Sequence, residues 1–257
     1  MMNVLAVGDV VGTCGVDMLA NHLPALRKLK GVDFCIVNGE NAAGTGITPA
    51  MAEKIFAAGV EVITLGNHAF NRREIAPYLD EKNSIIRPAN LGGRLPGEGF
   101  GVYSCPKGDV CVINLLGRVA LESTANNPFD WADQILASLP AHVKTIFLDF
   151  HAEATSEKAA MAYHLAGRVS GIFGTHTHVQ TADERIIGGT GFLTDLGMCG
   201  PRNSVIGIQP EIAVERFRGF FPRRFEPADG SGQMDFALFA VDANGRCTDI
   251  EQGTITD

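Results

Sequence analysis

Residues 4–12 read Val4-Leu5-Ala6-Val7-Gly8-Asp9-Val10-Val11-Gly12. Four apolar residues run together, and then a glycine and a carboxylate interrupt them. A run this short and this apolar reads as a strand buried on both faces. The residues that follow, 15–29, carry apolar positions at helical spacing. The same grammar returns twice. Phe34–Val37 is a second buried strand and Val60–Leu65 a third. Between them Thr48 and Pro49 open a helix as N-cap and first helical residue, and Gly59 closes it. Strands alternating with helices predict βαβ units and a mainly parallel sheet with both faces covered.

After Pro88 the pattern changes. Residues 100–104 and 110–116 predict a hairpin around the Lys107-Gly108-Asp109 turn. A helix over 130–138, the strand Thr145–Phe150, a helix over 156–166 and the strand Gly171–Gly174 follow. The tail is expected to fold as a hairpin, Phe236–Asp242 and Cys247–Ile250, across Asn244-Gly245. No repeat, low-complexity segment or flexible linker interrupts the chain, so residues 1–257 are read as a single domain.

With 46% hydrophobic and 19% charged residues, the 257-residue chain can bury a large core, which excludes a disordered polymer. A net charge of -8 argues against a surface built for nucleic acid, and no stable nucleic-acid partner is expected. Arg216, Arg218, Arg223 and Arg224 form one basic cluster, read as solvated or paired surface. The six cysteines, at 14, 35, 105, 111, 199 and 247, show no Cys-x-x-Cys spacing and read as reduced thiols. The N-terminus has no basic region and turns polar after seven residues. Neither a signal peptide nor a membrane span is expected, and the chain is read as cytoplasmic.

The chemistry lies where strands end. Asp9 follows the first strand, Asn38-Gly39-Glu40-Asn41 the second and Gly66-Asn67-His68 the third; Asp149-Phe150-His151-Ala152-Glu153 and Gly174-Thr175-His176-Thr177-His178 come later. The C-terminal ends of parallel strands share one edge of the sheet, where open α/β sheets hold ligands. Singly, each cluster has a bland alternative. An Asp after a strand is often a cap or turn residue, and a lone His such as His151 is often a satisfied half-buried side chain. His176 and His178, as i and i+2 of an extended segment, share a face, and two adjacent imidazoles require a metal or a counter-charge. Taken together, the clusters predict a metal site.

The order of these motifs resembles the calcineurin-like metallophosphoesterase superfamily, and more closely the YmdB family of bacterial phosphodiesterases. The resemblance rests on Gly8–Gly12, Asn38–Gly44, Gly66-Asn67-His68, Ile86-Arg87-Pro88-Ala89-Asn90, His151–Lys158, Gly174–Asp183 and Thr194–Met198. It implies a four-layer α/β sandwich, two mixed β-sheets back to back with helices outside. It also implies two divalent metal ions per chain. Asp9, Glu40 and His178 would hold one, with Asn41 beside it, and Glu40, Asn67, His151 and His176 the other, with Glu40 bridging. A carboxylate, amide and imidazole set favours Fe or Mn over Zn or Mg. The implied activity is hydrolysis of a small phosphodiester, such as a 2′,3′- or 3′,5′-cyclic nucleotide, by a metal-bridging hydroxide. His68 would be the catalytic acid, with an orienting role as its alternative. The rivals are a phosphomonoesterase or nucleotidase and a regulatory protein that keeps the metal site. A homo-oligomer is compatible with either.

Around that site, Glu153, Asp149 and Asp195 are expected to orient ligating imidazoles or to cap. Arg87 and Asn90 are candidates for substrate contact, with a loop-structural role as the alternative. Phe70, Trp131, Phe192, Phe220 and Phe221 are read as core. One departure from the subgroup stands out. Ala69-Phe70-Asn71 occupies the place of its usual Thr-Trp-Asp, so Asn71 is expected either to pair with an imidazole or to cap the next helix.

Overall fold

The computed structural model describes residues 1–121 and 124–257. In chain order the elements are β1 (Met2–Val7), β2 (Asp9–Val10), α1 (Gly12–Lys30), β3 (Phe34–Asn38), α2 (Pro49–Ala57), β4 (Val62–Thr64), α3 (Ile75–Glu81) and β5 (Ile85–Ile86). After a 3₁₀ turn at Ala89–Leu91 come β6 (Phe100–Tyr103), β7 (Val110–Leu116), α4 (Pro128–Ser138), β8 (Thr145–His151), α5 (Thr155–His164) and β9 (Gly171–Thr175). The last part holds β10 (Arg185–Ile187), β11 (Thr190–Leu193), β12 (Met198–Pro201), α6 (Pro210–Phe217), β13 (Gly232–Val241) and β14 (Cys247–Thr256). The local signals act as read. Thr48 caps α2 by accepting the Met51 N–H at 3.3 Å, and β6 pairs antiparallel with β7.

Among the described residues one sheet has eight strands, in the order β2-β12-β13-β1-β3-β4-β5 with β14 on β13. The other has six, β10-β11-β9-β8-β7-β6. Each is mixed. β1, β3, β4 and β5 run parallel, and so do β7, β8, β9 and β11. The expected parallel arrangement is interrupted by β13, which lies antiparallel against β1. The tail hairpin is longer than its apolar core alone suggests, because the polar Gln233 and Asp235 also pair within it.

Strand alternation sorts the side chains into layers. On β1, Val4 and Ala6 face the seam between the sheets, with Ile36, Val112, Phe147 and Phe173. Leu5 and Val7 face the other way, against Leu19 and Leu23 of α1 and Ile55 of α2. Ile113, Leu148 and Phe150 of the second sheet pack on Ile135 of α4 and Met161 of α5. The result is a four-layer sandwich, helices–sheet–sheet–helices. Among the described residues no helix is long and apolar enough to cross a membrane, and the six thiols are free.

Phe192 is buried, and Phe70 and Trp131 pack on the core as expected. Phe220 and Phe221 do not: they are 54% and 92% exposed. They sit in the stretch 218–226, every residue of which is exposed. The Phe220 ring meets the Arg218 guanidinium at 5.1 Å, not the core.

One buried ion pair joins the second sheet's outer helix to the loop after β11. Lys158 Nζ lies 2.6 Å from Asp195 Oδ2, both side chains sealed from solvent. The other hydrogen bonds of Asp195 hold the site: it accepts the Thr177 N–H at 3.2 Å and the Gly197 N–H at 3.0 Å. Removing one partner of such a pair strands the other charge in the interior. Lys158→Met is therefore expected to cost about 3–5 kcal/mol, seen as a lower urea midpoint at unchanged slope. A midpoint equal to that of the wild type would mean that the pair contributes nothing.

Candidate metal centre

The C-terminal ends of β1, β3 and β4 from one sheet meet those of β8 and β9 from the other. Asp9 follows β1 and is fully buried. Its Oδ2 accepts the His176 N–H at 3.1 Å, but its Oδ1, although buried, has no hydrogen-bond partner. Glu40 is also buried. Its Oε2 accepts the His68 N–H at 3.0 Å, and its Oε1 lies 3.0 Å from His151 Nε2. Asn67 brings its Oδ1 to 3.0 Å from the same nitrogen, and His176 brings its Nδ1 to 3.1 Å.

Both histidines of the His-Thr-His segment are held in the left-handed region, His176 at φ +98° and His178 at φ +63°. The extended geometry expected of this segment is therefore wrong: β9 ends at Thr175, and a strained turn, not strand alternation, brings the imidazoles inward. Such conformations cost on the order of 1–3 kcal/mol each. They are held by Asp9 on the His176 N–H, Asp195 on the Thr177 N–H and the Ile206 carbonyl on His178 Nδ1, at 2.8 Å. His176 Nε2 lies 3.3 Å from Glu153, so Glu153 orients that ring. His178 Nε2 lies 3.8 Å from Asp9 Oδ1 and 3.1 Å from the Asn41 amide nitrogen.

Burial dominates the electrostatics. It raises the Asp9 carboxyl to about 6, against the pull of His178 and His151. Burial works against charge on Glu40 as well, but the neighbouring His151 overrides it and holds Glu40 well below the carboxylate range. His151 responds in kind: burial disfavours its charge, yet Glu40 raises it to about 9. Burial and the His151 charge together lower His176 to about 3.

These residues fit a cation. Glu40 Oε1, Asn67 Oδ1 and His176 Nδ1 all face His151 Nε2, and each of the four is an atom able to ligate an ion. One atom each from Glu40, His151 and His176 lie within 4.8 Å of one another. Two ligand atoms at right angles around an ion about 2.1 Å from each are about 3 Å apart, the separation found here. The unpartnered Asp9 Oδ1 beside His178 marks a second place where positive charge is wanted. Asn41 turns its amide nitrogen toward His178 and Glu40 and its oxygen toward His68 Nδ1, at 3.2 Å. It presents oxygen to an ion there only after a half-turn of the amide.

Other expectations fall away. All the guanidinium nitrogens of Arg87 donate to backbone carbonyls, those of Pro96, Pro88 and Leu95. Asn90 is fully buried and clasps the backbone at Leu116 and Asn126. Both hold their loop. Asn71 is exposed, makes no side-chain hydrogen bond among the described residues, and is not the cap of α3, a place taken by Glu74. Asp195 holds the backbone of the His-Thr-His turn, and Asp149 reaches His151 only through Thr175. Thr175, Thr64 and Lys158 carry the site without having been singled out as site residues in the sequence. A hydroxyl or an ammonium group carries no local mark of what it touches.

The family model of YmdB-like proteins matches residues 5–252. The chain belongs to this family. It is 39% identical to the 2′,3′-cyclic-nucleotide 2′-phosphodiesterase of Bacillus subtilis (strain 168) over 259 residues, which cover 100% of this chain and 98% of that one. The crystal structure of a hypothetical protein from Thermus thermophilus superposes with a TM-score of 0.93 at 34% identity, covering 100% of both chains. That of a novel phosphatase from Mycoplasma pneumoniae gives 0.93 and 34%, over 99% of this chain and 93% of the other.

Gly66 lets the YmdB-like site close. A Cβ there would sit on Glu40 Oε2 and His151 Nε2. Gly66→Ala is expected to fold, by circular dichroism, yet to lose at least about 10–100-fold in Mn affinity by calorimetric titration. Affinity equal to that of the wild type would show that these atoms do not bind the ion.

Proposed function

We propose that the chain is a dinuclear metal-dependent phosphodiesterase that opens small cyclic phosphodiesters, with 2′,3′-cyclic nucleotides as the leading substrates. The observation that carries this reading is the cluster of Glu40, His151 and His176, whose ligand atoms lie within 4.8 Å of one another, beside a buried Asp9 Oδ1 that has no hydrogen-bond partner. The name of the B. subtilis relative, at 39% identity over the full chain, supports the substrate class.

Asp9, Glu40 and His178 would hold one ion, with Asn41 beside it, and Glu40, Asn67, His151 and His176 would hold the other. Glu40 would bridge them, lying 3.0 Å from His151 of one set and 3.4 Å from Asn41 beside the other. The donors are oxygen and imidazole nitrogen without thiolate, which suits Fe or Mn. When bound, such a pair of ions supplies a hydroxide at neutral pH and positive charge for the phosphoryl oxygens.

His68 does the proton work. Its Nδ1 is anchored 3.4 Å from Glu40 Oε1 and 3.2 Å from Asn41 Oδ1, and the side chain is 32% exposed. Its Nε2 makes no hydrogen bond among the described residues, so a proton there is free to pass to the leaving oxygen as the P–O bond breaks. The cyclic diester then leaves as a nucleotide monoester. A monoesterase would need a free guanidinium over the terminal phosphate. Arg87 gives all its donors, and Arg72 its Nε and Nη2, to backbone carbonyls; Arg202, which lines a cavity with His178, is the guanidinium a monoesterase would have to use.

His68→Ala is expected to keep both metals while losing about 10²–10⁴-fold in rate on a 2′,3′-cyclic nucleotide. The defect should shrink on bis-p-nitrophenyl phosphate, whose leaving group needs no proton. Metal loss, or an equal defect on both substrates, would overturn the role given to His68. Metal analysis supplies a second check: two ions per wild-type chain are expected, and fewer in Glu40→Gln. If the metal-loaded wild type hydrolysed no phosphodiester, a regulatory protein would be the better reading.

A further inference from the structure

Behind His151 lies a chain of three buried groups. Thr175 Oγ1 is 2.6 Å from Asp149 Oδ1 and 2.8 Å from His151 Nδ1. Asp149, Thr175 and His151 are each 0% exposed. The threonine hydroxyl has one proton to give and two neighbours to choose between.

The far side of Asp149 makes the choice. Its Oδ2 takes the Asn38 amide at 2.9 Å and the Thr64 hydroxyl. The Asn38 amide is itself oriented, because its oxygen accepts the Glu40 N–H at 3.1 Å, leaving the NH₂ end toward Asp149. The carboxylate is thus fed on one oxygen by two donors, and its other oxygen calls for the Thr175 proton. What Thr175 then shows to His151 is a lone pair. In the metal-loaded protein His151 must then carry its hydrogen on Nδ1, which leaves Nε2, the nitrogen that faces Glu40 Oε1, Asn67 Oδ1 and His176 Nδ1, free to ligate. The reverse direction would leave Asp149 Oδ1 without a donor inside the protein and turn an N–H toward the cation.

We propose that Asp149 and Thr175 are positioning residues, a directional relay that sets the His151 tautomer so that Nε2 can ligate. The relay rests on the assignment of His151 as a metal ligand in the proposed function, but not on the reaction. A hydroxyl between carboxylate and ring passes on direction without placing the charge directly against the imidazole. That distinguishes it from the usual contact of a carboxylate with a ligating histidine.

The test uses the full chain titrated with zinc, which is diamagnetic, and reads the ring nitrogens of His151 by long-range ¹H–¹⁵N correlation. Wild type and Thr175→Ser are expected to show Nδ1–H with Nε2 on the metal, at equal affinity. Thr175→Val, which keeps shape and loses the hydroxyl, is expected to bind zinc about 10–100-fold more weakly. Asp149→Asn should be at least as weak. Its amide oxygen must still take the Asn38 and Thr64 donors, so its NH₂ faces Thr175 and reverses the relay. If Asp149→Asn fails to fold, the Thr175→Ser and Thr175→Val pair still decides. Thr175→Val binding as tightly as Thr175→Ser, or wild type showing Nε2–H, would overturn the relay. A wild type that holds no zinc would overturn the ligand assignment and the relay with it. Neither readout involves turnover. Absence of phosphodiester hydrolysis would remove the proposed function and leave an intact tautomer result standing.

Discussion

The Asp149 carboxylate lies in the seam between two sheets whose contact is largely apolar. It takes hydrogen bonds from both: from Asn38 on β3 and Thr64 on β4 across the seam, and from Thr175 on its own sheet. Apolar contact has no direction, and sheets packed through Val4, Ile36, Phe147 and Phe173 alone could slide with little change in buried area. A buried anion has no such freedom, because each donor it loses leaves part of its desolvation cost uncovered. The convergence of strand ends from both sheets is fixed by that constraint together with the contacts at the site itself. A slip between the sheets would separate Glu40 and Asn67 from His151 and His176.

The same economy governs the loop after β9. Two non-glycine residues held at positive φ are unfavourable in themselves, and each anchor that holds them is itself buried or tied elsewhere in the fold. Asp195 leans on Lys158 of α5, and Asp9 on the strand that begins the chain. The site is thus a place of local conflict: acceptors facing acceptors, strained backbone, a carboxylate oxygen left alone. The surrounding fold is consistent enough to hold it.

Much of this was legible in the sequence, and the illegible part has a physical cause. A short apolar run ending in glycine and a polar residue declares both a strand and its business end, so the places of Asp9, Glu40, Asn67, His151, His176 and His178 could be read directly. The partition into two sheets could not, because which strands pair is settled by contacts hundreds of residues apart, as β13 with β1 shows. Thr64 and Thr175 read as ordinary strand formers. Lys158, whose place on a helix gives no sign of its burial, is sealed beneath the site. Phe220 and Phe221 misled in the other direction: apolarity suggested core, while the arginines around them were the better sign. Arg87 and Asn90 carried both meanings, and only the carbonyls they meet decide.

β1 has one further consequence, for the order in which the molecule comes into being. It is a central strand, with β3 on one side and β13, residues 232–241, on the other. At about 5–20 residues per second of synthesis, the first strand waits tens of seconds for its second neighbour. Throughout that wait an apolar strand shows an open backbone edge, the kind of surface that pairs with the wrong chain. Long-range pairing of this sort folds slowly. The larger sheet closes at its middle only once β13 has been made, and a nascent chain stays exposed to aggregation until then.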